Sequence, residues 1–200
     1  MKKFENLCEI SYNVQINLKG KKEMKKITAI LLLLCLMLSL GACAKKRNVE
    51  DLSCQDIVSA FRQAYGASYE PNVAIPDELI NNEFGLNMTE MEDYYGEMPQ
   101  IGLRCDRIVA VKAVSGEADR VVERFEQAKK GFLKNNMEYS NSMKVSSALI
   151  LREGDFVCFF MLGDDYGGEN IGEGSSEETE FYKAQQQIGE ECWHNIFYEK

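Results

Sequence analysis

Between residues 117 and 134, Val121, Phe125, Ala128 and Phe132 recur at i, i+4, i+7 and i+11, and Arg120, Glu123, Arg124, Glu126 and Lys130 fill the positions between them. An apolar stripe of that period is one face of an amphipathic helix, so the spacing predicts a helix over 117–134. Gly131 weakens its last turns by about 1 kcal/mol relative to alanine. The same period sets Ile57, Val58, Phe61 and Tyr65 on one face of a helix over 54–65. Ser53 and Asp56 form a capping pattern in front of it, and Gly66 offers a left-handed stop behind it. Residues 69–76 are extended, with Pro71 and Pro76 as breakers. A short helix over 77–82 follows, its acids Asp77 and Glu78 at the positive end of the helix dipole. A last helix is expected over 177–197, with Phe181, Ala184, Ile188 and Cys192 as its apolar line and Trp193 and Phe197 packing its end onto a sheet.

Strand patterning is confined to three stretches. In 102–114 the residues Ile108, Val109, Ala110, Val111 and Ala113 leave little polar alternation, which predicts a strand covered on both sides along its middle. Residues 145–152 and 155–163 flank Glu153-Gly154, a tight hairpin turn. The second arm is apolar at both parities, with Phe156, Cys158, Phe160 and Leu162 on one side and Val157, Phe159 and Met161 on the other. That suits a central or interface strand. Residues 135–144 are a polar connection. Residues 87–98 read as one or two turns of helix, and there Met88, Met91, Tyr94, Tyr95 and Met98 form an aromatic and thioether cluster. Such a cluster is either a lid over the core or a binding surface. The predicted order is α-α-β-α-β-β-α: an α+β fold with a small, mostly antiparallel three-stranded sheet and helices on one face.

The longest apolar run lies elsewhere, at residues 27–38, after Lys25 and Lys26 and before Gly41 and Ala42. A short basic region, an uncharged apolar region and small residues are the anatomy of an export signal. The Leu40-Gly41-Ala42-Cys43 ending resembles the lipobox of bacterial lipoproteins. That resemblance implies that Cys43 receives a diacylglyceryl group on sulfur and becomes the mature N-terminus, with Leu40, Gly41 and Ala42 read by the signal peptidase. Two or more acyl chains, at about 0.8 kcal/mol per buried CH₂, make a stable anchor. The apolar stretch from Ile27 to Ala44 is also about as long as the shortest uncleaved membrane helix, ~17 residues. Either way, Lys19, Lys21, Lys22, Lys25 and Lys26 before the span outnumber Lys45, Lys46 and Arg47 after it, which sets the following chain outside the cytoplasm. The expected organisation is an upstream extension over 1–23 with the start at Met24, a signal peptide over 24–42, a lipidated tether over 43–50, and one domain over 51–200 with a glycine-rich acidic loop near 164–176.

Charge and cysteine count narrow the partners. The chain has 200 residues, 23 basic and 32 acidic. Seven of the basic and three of the acidic residues precede Cys43, which leaves the remainder at −13. Such acidity argues against nucleic acid and against electrostatic adhesion to anionic lipid. Cys54, Cys105, Cys158 and Cys192 remain after Cys43; they allow two disulfides in three pairings, or none, and no CxxC spacing marks zinc or redox chemistry.

The strand at Cys105-Asp106-Arg107, the helix over 117–134 and the glycine-turned hairpin together resemble the domain of unknown function numbered 4358, carried by lipoproteins of Gram-positive anaerobes. The resemblance covers residues 52–165 and implies no activity, substrate or catalytic residue. The residues themselves carry no catalytic motif. His194 is the sole histidine, so a triad or a histidine-rich metal site is not formed. Residues 164–170 place acids beside glycines, which suits calcium, but without EF-hand spacing. Asp106, between Arg104 and Arg107, reads as a paired surface acid. The expectation is therefore a non-enzymatic extracytoplasmic module without cofactor, held at the cell membrane by Cys43. It would bind an envelope protein or a small ligand. The alternatives are an envelope hydrolase working through Asp or Glu, or a weak cation binder.

Overall fold

The computed structural model describes residues 45–100, 104–134, 142–167 and 175–199. Leu40, Gly41, Ala42 and Cys43 lie outside the described residues. The chain divides into two units, Met1–Lys45 and Lys46–Lys200, and all the elements below belong to the second.

Helix α1 (Cys54–Tyr65) starts as its sequence prescribes. Ser53 Oγ accepts from Asp56 N at 3.1 Å and Asp56 Oδ2 accepts from Ser53 N at 3.1 Å, which closes a capping box. After a 3-10 turn (Gly66–Ser68) come strand β1 (Val73–Ala74), helix α2 (Asp77–Phe84), a 3-10 turn (Met88–Glu90) and strand β2 (Met91–Met98). Strand β3 (Arg107–Ala113) leads into helix α3 (Ala118–Lys134), then short helix α4 (Ser142–Ser146), strands β4 (Leu149–Glu153) and β5 (Phe156–Met161), and helix α5 (Ser176–Phe197). The strands form one antiparallel sheet in the order β1-β2-β3-β5-β4.

The three-stranded expectation is thereby corrected to five strands, and one layer of helices to two. The two missed strands have local causes. Strand β1 is two residues long, below what patterning detects. Strand β2 carries a bulge between Met91 and Asp93. The extra residue reverses the phase, so that Met91, Tyr94 and Met98 reach the same face at spacings of three and four. That spacing imitates a helix, which is how residues 91–98 read. Val145, expected in a strand, lies in α4 instead.

Both sides of the sheet are dry. On one face Val109 and Val111 stand opposite Phe159 and Val157, and α2 and α3 cover them. Phe159 sits at the centre of a ring cluster, with Phe84 at 5.5 Å, Phe125 at 5.6 Å and Phe132 at 6.1 Å. On the other face Ile108, Ala110, Cys158 and Phe160 lie under α1 and α5. Phe61 meets Phe160 at 5.0 Å, and Trp193 meets Phe197 at 4.6 Å. Each buried ring contributes roughly 1.5–3 kcal/mol by leaving water. The four cysteines among the described residues, Cys54, Cys105, Cys158 and Cys192, are free thiols in these layers. Among the described residues no helix is long and apolar enough to cross a membrane.

Helix α5 buries Tyr182, Gly189, Cys192, Trp193 and Phe197, while Ala184, expected inward, is exposed. The inward line turns on Gly189, where an added Cβ would lie 2.4 Å from the Phe160 ring. Gly189→Ala is therefore expected to cost about 1–3 kcal/mol by overpacking. Gly131 has nothing within 4 Å of an added Cβ, so Gly131→Ala should gain about 0.5–1 kcal/mol from helix propensity. Urea unfolding of the two variants checks the opposite signs.

Candidate functional site

The feature least expected of a small domain is a lysine inside it. Lys144 has 0 % and Asp106 1 % of its surface exposed. Helix α4 carries Lys144, while Asp106 lies just ahead of β3, at the end of the sheet where Arg107 pairs with Met161. The ammonium donates to Asp106 Oδ2 at 2.9 Å, to Gly163 O at 2.7 Å and to Asp165 Oδ1 at 3.0 Å. Asp106 Oδ1 lies 2.8 Å from the same nitrogen, outside hydrogen-bond alignment. An ammonium has three donors, and each finds an acceptor here.

Burial raises the pKa of Asp106, against the pull of Lys144. Burial alone would lower that of Lys144, but the carboxylates of Asp106 and Asp165 outweigh it and leave it raised. Lys144 is therefore a cation held in place rather than a neutral amine ready to attack. Around it runs a rim of mixed charge, open to solvent at Arg104, Glu70 and Asp165 and buried at Arg107. Arg104 Nη1 lies 3.0 Å from Glu70 and 3.8 Å from Asp165, and Arg107 reaches Glu83 at 3.2 Å while lying over the Phe132 ring. Cys105, between the two arginines, is buried, which pushes its thiol up to about 11.

The reading of Asp106 as a surface acid paired with Arg104 and Arg107 is corrected by this geometry: its partner is Lys144, 38 residues away. The loop acids are committed as well. Asp165 faces Lys144 and Arg104, and Asp164 accepts from Ser68 Oγ at 2.9 Å. Residues 168–170 of the proposed calcium loop lie outside the described residues. Among the described residues no three His, Cys, Asp or Glu side chains are placed to hold a metal ion.

The methionine and tyrosine cluster is divided by the sheet. Met91, Tyr94 and Met98 pack on the α2–α3 side and Tyr95 on the α1–α5 side, while Met88 is 45 % exposed in the 3-10 turn. Tyr94 donates to Asp77 at 2.6 Å. Tyr95 and Tyr69 donate to the buried Glu97 at 2.9 and 2.7 Å, and Arg62 pairs with the same carboxylate. Burial would raise Glu97, but these donors outweigh it and hold its pKa below the ordinary value. His194 stacks on Tyr198 at 4.8 Å, in an open recess of about 500 Å³ with Gln187, Glu190, Glu191 and Asn195.

Lys144→Met would strand the Asp106 carboxylate in the interior, at a cost of about 3–5 kcal/mol at neutral pH. An unpaired buried acid has a folded-state pKa above its unfolded one, so the folded state binds more protons and stability falls as pH rises through the folded value. The deficit of Lys144→Met should accordingly shrink as pH is lowered, and adding Asp106→Leu should recover part of it; urea unfolding between acid and neutral pH measures both. In the unsubstituted protein Lys144 is raised, so its contribution is complete below about 10.4 and lost as pH rises through its folded value. Burial likewise raises Tyr65, Tyr69 and Cys158. The domain is expected to lose stability steeply in base, read as a falling urea midpoint above about pH 9.

Residues 65–162 match the sequence model of DUF4358, a domain of unknown function. No curated protein and no solved structure matches the chain. The matched stretch holds all five strands, helices α2, α3 and α4, and the Asp106–Lys144 pair. It omits α5 and all of α1 but its last residue. Over the sheet and the buried ion pair at its end, this chain resembles the DUF4358 family.

Proposed function

We propose that the protein is an extracytoplasmic lipoprotein, anchored in the cell membrane through Cys43, whose domain is a non-enzymatic interaction module. The observation that carries this reading is Leu40-Gly41-Ala42-Cys43 behind an uncharged apolar run and two lysines. Small residues before the cut and a thiol directly after it are what lipidation and cleavage require. The described domain supports the second half of the reading. Three of its buried carboxylates, Glu90, Glu97 and Asp106, face Arg120 and Arg124, Arg62, and Lys144 respectively. A general acid or base needs a proton that it can exchange with a substrate, and these three carboxylates are each paired with a cation of the same domain instead. The exposed rim of Arg104, Glu70 and Asp165, above the rigid pair, offers a polar contact surface for an envelope protein or a small ligand.

Metabolic labelling with an alkyne fatty acid tests the anchor. Labelled protein is expected in the membrane fraction, and Cys43→Ala should lose both the label and the membrane association. Label that persists in Cys43→Ala, or an unlabelled parent protein, would refute the proposal.

A further inference from the structure

The chain reaches its domain sooner than a tether over 43–50 implies. Lys46 forms a β-bridge with Tyr198, and Arg47 N donates to Phe197 O at 2.8 Å. Lys46 Nζ lies 2.6 Å from Glu153 Oε1, and the Tyr198 hydroxyl donates to Glu153 Oε2 at 2.6 Å. One carboxylate at the tip of the β4–β5 hairpin thus grips both terminal segments of the domain. The hairpin turn at Gly154 (φ 62°) lies beside a recess of about 360 Å³ whose lining includes Lys46, Arg47, Lys112 and Phe197.

This end of the domain is opposite the buried ion pair. Ala113 N donates to Asp155 O at 2.8 Å where β3 ends, whereas Asp106 precedes its first residue. The seven residues of β3 separate the two ends, and at ~3.4 Å per residue that is roughly 20 Å. Residue 43 is three residues from Lys46, a reach of at most about 10 Å. A domain of this size has a radius of gyration of about 15 Å, so a strap that short cannot let it turn over.

From this geometry, and resting on the anchor at Cys43, we infer that the domain has a fixed orientation at the bilayer. Its β4–β5 hairpin end meets the lipid headgroups, and the rim of Arg104, Glu70 and Asp165 points away from the membrane. Charge does not supply the orientation, because an acidic domain gains little from anionic lipid. The strap does: from Lys46 onward it is bonded to the fold. The rim is then the surface open to a soluble or envelope partner, and the hairpin end is closed to one.

The test uses the lipidated protein carrying either Asp155→Cys, at the hairpin, or Ala67→Cys, in the exposed turn whose neighbour Ser68 bonds Asp164 at the far end. The four native thiols are buried, so the introduced thiol takes a fluorophore selectively. The labelled proteins are reconstituted into phosphatidylcholine vesicles containing a headgroup-nitroxide lipid, and vesicle-bound protein is isolated by flotation. The label on Asp155→Cys should be quenched several-fold more than that on Ala67→Cys. A flexible Gly-Ser insert of about 20 residues before Lys46, with an r.m.s. reach of ~25 Å, should erase the difference. Protein that does not float overturns the anchor and the orientation with it. Protein that floats but shows equal or reversed quenching overturns the orientation alone.

Discussion

The structure depends on one constraint: the two central strands are apolar on both sides. Arg107–Ala113 and Phe156–Met161 pair in register along their length, and each alternates one buried set with another. A strand of that kind cannot leave a face to water, so each side of the sheet needs its own layer. Phe159 calls for the Phe84, Phe125 and Phe132 cluster, and Phe160 calls for Phe61 and the close approach of Gly189. Helices α2 and α3 meet the first demand, α1 and α5 the second. The position of every other element follows from these two layers.

Most charge is placed around this core, and among the described ion pairs the one at the sheet's end is the one in which both partners are almost fully buried. A buried lysine is costly unless its donors are met, and Lys144 meets all three. The pair ties α4 to the segments before β3 and after β5. It gives the upper rim a rigid base, while the Glu153 carboxylate binds both terminal segments at the lower end. The two ends of one sheet thereby take on different tasks.

Much of the fold was legible from local chemistry. Ser53 with Asp56, the Val121–Phe125–Ala128–Phe132 stripe, the Glu153-Gly154 turn and the both-sided apolarity of β5 each act within a few residues, where sequence and geometry are directly coupled. What escaped had physical reasons of another kind. A bulge at β2 gave a strand the periodicity of a helix. Two-residue β1 is a strand only because β2 lies beside it. The phase of α5 was set by the ring opposite Gly189, not by its own apolar residues. The Asp106–Lys144 pair joins residues 38 positions apart. Asp106 stood out as an acid beside an apolar strand, but nothing local to Lys144 marks it as buried.

If both layers are required, the matched segment alone leaves one side of the sheet bare. Residues 65–162 contain the whole sheet but neither α5 nor all but one residue of α1. Urea unfolding of residues 46–200 and of residues 65–162, followed by near-ultraviolet circular dichroism and hydrophobic-dye binding, compares the sheet with and without its second layer. One cooperative transition is expected for the longer chain. For the shorter, dye binding with no cooperative transition is expected. A cooperative transition of residues 65–162 at a similar midpoint, without dye binding, would contradict the requirement for both layers.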